Sequence, residues 1–114
     1  MKHFMKLKPE PFELIDKGIK IYELRLFDEK RKMLKVGDII EFSNLECPNE
    51  IIEVKVEDLL FYPSFIDLYN DLPMTMIGYT EENKLIANYT DMEKYYSIDE
   101  QSKFGVVAIK IRKI

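Results

Sequence analysis

The sequence has almost none of the residues that build staples or metal centres. It holds one cysteine, Cys47, and one histidine, His3, in 114 residues. A single cysteine excludes an internal disulfide and suits a reducing cytoplasm. One His and one Cys cannot form a His/Cys metal site, and the acidic residues show no calcium-loop spacing. No cofactor and no metal ligands are assigned, a carboxylate-bound metal being the one kind this composition leaves open. The apolar runs are only a few residues long, so no membrane span is expected. Met1-Lys2 is not followed by the apolar stretch of a signal peptide. Tryptophan is absent, and the 4 Gly and 5 Pro do not gather into a linker. There is no repeat, no low-complexity tract, no Gly-rich phosphate loop and no Gly-x-Ser-x-Gly.

What remains is the composition of a globular protein: 46% hydrophobic and 33% charged, enough for one domain over residues 1–114 with a modest core of its own. The net charge of −4 argues against coating nucleic acid by bulk electrostatics. The charge is uneven, however. Residues 1–49 carry 10 basic and 9 acidic groups, and residues 50–114 carry 7 and 12. An anion is better placed in the first half.

Alternation predicts a strand over 3–7. Pro9 and Pro11 fit the first turn of a short helix, with Phe12, Leu14 and Ile15 on its apolar side and Gly18 as its stop. Residues 19–26 read as the next strand, 28–32 as a solvated loop or helical turn, and Val36-Gly37-Asp38 as a turn launching a strand over 39–43. Ile52, Val54 and Val56 alternate with Glu53, Lys55 and Glu57 in a half-buried strand. Ser64 is placed to cap a helix over 65–70. Residues 72–89 have no sustained period and read as an irregular excursion over the core. Thr90 and Glu93 have capping-box spacing for a short helix reaching Tyr96. Val107, Ile109 and Ile111 mark a final strand. The fold class is α+β, mainly β: a mixed barrel of five to six strands with about three short helices on its rim, because a parallel α/β sheet needs longer crossover helices.

One stretch concentrates charge where a strand enters the core: "GIKIYELR", residues 18–25. In a strand, Glu23 and Arg25 project to the same side and can pair as guanidinium with carboxylate. Lys20, beside the helix stop, has no fixed direction. Either the three charges form a solvated surface pair of small energy, or they line a cleft. In a cleft, Lys20 meets a phosphate or carbonyl oxygen, Glu23 accepts from a base amino group, and Arg25 steadies Glu23 or takes a second anion. In a hydrolase, Lys20 and Glu23 become the catalytic pair. The 7 Tyr and 7 Phe supply rings for packing or for base stacking. Phe61, Phe65 and Tyr95 are expected in the core, and Tyr62 and Tyr96 are pocket candidates. His3 is expected to be an ordinary strand residue.

The stretch fits Gly-x-Lys-x-x-Glu-x-Arg, and the chain here resembles the ASCH (activating signal cointegrator homology) family. The resemblance extends to "MKLKPEPFELIDKG", "LKVGDIIEFSN", "YPSFIDLY" and "DMEKYYSIDEQSKFGVVAIKI", in the family's order. It implies a PUA-like pseudo-barrel whose motif, here Gly18, Lys20, Glu23 and Arg25, lines a cleft for RNA or a modified nucleotide. Some small relatives are amidohydrolases acting on acetylated cytidine, and others are ribonucleases. The amidohydrolase pattern has a Thr where this chain has Glu23, and a second Glu near Ala87, for which Glu81 or Glu82 would have to substitute. A protein-binding module using the acidic second half is the remaining alternative.

Overall fold

Alternation sets the sheet. In the computed structural model, which describes residues 1–114, Lys2–Leu7 (β1) turns every second side chain inward. Pro9–Asp16 (α1) follows, with Phe12 and Ile15 buried and prolines in its first turn, where a missing N–H breaks no helical bond. It ends at Gly18, whose φ of +74° is the left-handed conformation that glycine adopts at low cost. Tyr22–Leu26 (β2), Ile39–Asn44 (β3), Ile51–Tyr62 (β4) and Val106–Lys113 (β5) complete the strands. They form one sheet in the order β1-β3-β4-β5-β2. β1 lies parallel to β3, and the other pairs are antiparallel. Strands β1 and β2, neighbours in the chain apart from α1, are thus the two edges of a half-barrel. No helix is long and apolar enough to cross a membrane.

Two apolar clusters cover the two faces. One takes Met5, Leu7, Phe12, Ile15, Ile40, Phe42, Val54, Val107 and Ile109. The other takes Leu24, Leu26, Leu68, Ile77, Val106 and Ala108 with Phe65 at its centre. Both draw on β5, whose first half is buried on both sides. A fully buried side chain such as Phe42 or Phe65 contributes about 1.5–3 kcal/mol.

Several elements differ from the expectation. Residues 19–21 precede the strand, because the Ile19 and Lys20 amides both bond to the Leu14 carbonyl at the helix end and Ile21 bonds to Met76. Ser64 precedes Phe65–Asp71 (α2), but its hydroxyl turns to the Asp67 carboxylate and caps no amide. The cap near residue 90 is Asn88 with Asp91, opening a 3-10 helix over Tyr89–Lys94. Ser97 and Glu100 form a further capping box that starts Ile98–Phe104 (α3). The excursion over 72–89 packs through Ile77, which is buried. Phe65 is buried as expected, whereas Phe61 and Tyr95 are exposed. Phe61 is expected inside because phenylalanine rings usually pack in a core, but it lies on the outer face of β4, beyond a bulge between Val56 and Asp58. Tyr95 lies under the Lys8 and Lys94 ammonium groups. His3 has a specific partner, its Nε2 lying 2.8 Å from Asp38 Oδ2.

Candidate functional site

The seam between the two sheet edges is where the charged motif comes together. Because residues 19–21 are not yet strand, Lys20 escapes the alternation that would point it away from Glu23. Its Nζ donates to Glu23 Oε1 at 2.8 Å. Arg25, two residues along β2, donates through Nε to Glu23 Oε2 at 2.9 Å. Its Nη2 lies 2.8 Å from the same oxygen and donates to the Lys6 carbonyl on β1 at 3.1 Å. The guanidinium therefore ties the two edges of the half-barrel together. Glu23 is 3% exposed and Lys20 8%, so a solvated surface pair does not describe this group.

Burial alone would push the Glu23 carboxyl up, but the Lys20 and Arg25 charges outweigh it and hold its pKa below the ordinary value. Burial likewise opposes the Arg25 charge, and Glu23 outweighs it, so the pKa of Arg25 is raised. Two cations share one carboxylate, which leaves one positive charge without a partner in the group. That charge borders a hollow of about 490 Å³. Five charged side chains around the hollow are cationic and three are carboxylates, against a whole-chain charge of −4. Lys6 and Lys8 come from the β1 end, and Lys94 and Tyr96 from the 3-10 helix and its exit. No group of three or more His, Cys, Asp or Glu side chains is arranged to hold a metal ion.

The structure gathers Lys20, Glu23, Arg25 and Tyr96 around this hollow. Tyr96 stacks on Phe65, with ring centres 5.9 Å apart, and burial raises the pKa of its phenol. Gly18 stands behind the site as the helix stop and does not line it. Tyr62 lies elsewhere: it borders a shallow hollow with Phe27, Phe61 and Phe104, and its hydroxyl donates to Asp71 at 2.6 Å. Glu81, Glu82 and Ala87 do not line the cleft, and Glu81 pairs with Lys84. The sequence reading missed Gly78, Tyr69, Tyr79 and Asp91, which do line it. Gly78 has φ +122°, and a Cβ there would sit 3.4 Å from Lys20 Cδ. That Gly lies directly against the buried lysine stem. Its signal in the sequence was a glycine in a segment without periodicity, which is how a close backbone approach can look.

Comparison with known proteins agrees with this architecture. The family model for the ASCH domain matches residues 5–114. The crystal structure of hypothetical protein PH0355 is 34% identical, with a TM-score of 0.82 and full coverage of both chains. The solution structure of protein PF0455 from Pyrococcus furiosus is 31% identical with a TM-score of 0.73, covering 100% of this chain and 98% of that one. ASCH from Zymomonas mobilis superposes with a TM-score of 0.66 over 96% of this chain and 65% of that chain; at 17% identity the likeness speaks for the fold alone. No curated protein gives a significant match.

Proposed function

The chain belongs to the ASCH domain family, and on that premise we propose that the seam cleft binds RNA or a nucleotide-like small molecule. One observation carries the reading: a buried lysine and a half-buried arginine share a single buried carboxylate beside a hollow, which leaves a positive charge for an anion to meet. The volume of about 490 Å³ falls within the roughly 300–1,000 Å³ usual for ligand pockets. Lys20 is assigned to a phosphate or carbonyl oxygen. Arg25 is assigned to a second acceptor through the donors it does not use on Glu23. Glu23 takes a holding role and not that of a base reader, because both its oxygens are engaged. Tyr96 offers a ring whose back is supported by Phe65. The compartment that suits the exposed thiol of Cys47 is the reducing cytoplasm.

Hydrolysis of an acylated nucleoside ranks second. A general base works best with a pKa near the working pH, and Glu23 is held below its ordinary value between two cations.

The test is a titration of short single-stranded RNAs and mononucleotides into wild-type, Lys20→Ala and Arg25→Ala protein at low and high salt. Binding should weaken as salt rises, since phosphate contacts release counterions, and each variant should bind less tightly than wild type. Absence of salt-sensitive binding to any of these probes defeats the reading. Turnover of acetylated cytidine that stops in Glu23→Gln protein still folded by circular dichroism would move hydrolysis to first place.

A further inference from the structure

Three polar side chains on the wall built by α2, the irregular segment and the 3-10 helix Tyr89–Lys94 form a hydrogen-bond chain. The Tyr69 and Tyr79 hydroxyl oxygens lie 2.8 Å apart. The Tyr79 hydroxyl donates to Asp91 Oδ2 at 2.6 Å. All three residues line the same cleft as Lys20 and Arg25.

The direction of this chain is fixed by counting hydrogens. A phenol has one, and an ionised carboxylate has none. Tyr79 therefore commits its hydrogen to Asp91. Its other neighbour, the Asn88 carbonyl at 3.4 Å, is also an acceptor. With no hydrogen to offer Tyr69, Tyr79 must accept from it. Tyr69 thus presents an oxygen lone pair and no hydrogen. The bonds to Asp91 from Tyr79 and from the Asn88 amide both use Oδ2, which leaves Oδ1 to accept. Burial raises the pKa of both phenols, so neither loses its hydrogen near neutrality and the direction holds.

The cleft is therefore polarised. Lys20 and Arg25 can only donate, while Tyr69 and Asp91 can only accept. We propose that the Tyr69–Tyr79–Asp91 chain is the specificity element of the cleft, selecting nucleobases that present an exocyclic amine over those with an oxo group in its place. The inference rests on the reading of the cleft as a nucleotide site. An amine donates to the acceptor wall while a carbonyl or phosphate oxygen meets the cations. An oxo group sets lone pair against lone pair and leaves desolvated acceptors unpaired, the kind of mismatch by which a polar site discriminates.

Two matched pairs test this by calorimetric titration of the full chain: cytidine against uridine monophosphate, and adenosine against inosine monophosphate. The amino member of each pair should bind about tenfold more tightly, as expected for one mismatched buried hydrogen bond. Tyr69→Phe removes the acceptor and its opposed lone pair together, so the ratio should move towards unity, the amino member binding less tightly and the oxo member more tightly. Tyr79→Phe frees the Tyr69 hydrogen and should shift preference towards the oxo member. Equal binding within both pairs by wild-type protein overturns the inference while leaving the nucleotide reading intact, as does a full ratio retained in folded Tyr69→Phe. If neither member of either pair binds, the nucleotide reading fails and the inference falls with it. Circular dichroism reports whether each variant is folded; should either variant unfold, the wild-type ratios decide.

Discussion

Two carboxylates in this molecule are buried among hydrogen-bond donors, and only one of them adjoins the seam cleft. Asp38, at the turn before β3, accepts from His3 at 2.8 Å and from the Lys35 amide at 3.0 Å. Glu23, in β2, accepts from Lys20 and Arg25. Both have pKa values below the ordinary ones. For Asp38 the bond from His3 is the main cause; for Glu23 the two cationic side chains overcome the burial that opposes them. The difference lies in what stands next to each group. Asp38 joins the start of β3 to β1, its parallel neighbour, and does not line the seam cleft. Glu23 borders the hollow, with more cation than carboxylate around it. Burial of charge therefore does not by itself identify a site; the adjoining space and the residual charge do.

The largest way to break the comparison is Glu23→Gln. It leaves buried Lys20 and half-buried Arg25 without a counter-charge and should destabilise the fold by about 3–5 kcal/mol, read by urea unfolding. Asp38→Asn loses the charge on one hydrogen-bonded network and should lower stability by about 1–2 kcal/mol with no change in nucleotide affinity. Weakened binding in folded Asp38→Asn would erase the distinction between the two groups. Gly78→Ala acts on the Glu23 group alone. Its left-handed backbone and the 3.4 Å approach to Lys20 should remove about 1–2 kcal/mol and displace the Lys20 ammonium from its place beside Glu23. Acid sharpens the contrast with smaller increments. Each carboxyl has a folded pKa below its ordinary value, so its contribution is complete above that value and lost as pH falls through the folded one. The stability gap between wild type and Glu23→Gln should begin to close below pH 4.5, and that for Asp38→Asn only below pH 3.8. Urea titrations across this range measure both.

Most of the sheet could be read from the sequence because alternation and burial coincide in β1, β3 and the first half of β4. Beyond the bulge between Val56 and Asp58 they do not; there Phe61, expected inside as an aromatic ring, is exposed, and Tyr62 borders a hollow other than the seam cleft. The charged motif was legible as a cluster, and the Glu23–Arg25 pairing followed from strand geometry. The position of Lys20 did not, because it depends on two amides competing for the Leu14 carbonyl. Tyr69, Tyr79 and Asp91 were invisible as a group. Their contacts span a segment without period, held by 3-10 turns and side-chain bonds that leave no regular spacing. The Ser97–Glu100 box, by contrast, was present in the sequence in the same form as the Thr90–Glu93 spacing that was read as a helix start.

Arg25 also has a mechanical consequence. Paired strands keep a fixed separation of about 4.8 Å, because backbone amides and carbonyls leave no choice. Across the seam the reach of a guanidinium to the Lys6 carbonyl replaces that ladder. The aperture of the barrel is thus written into one side chain, and a lysine there would keep the charge while losing the planar fork that grips both banks.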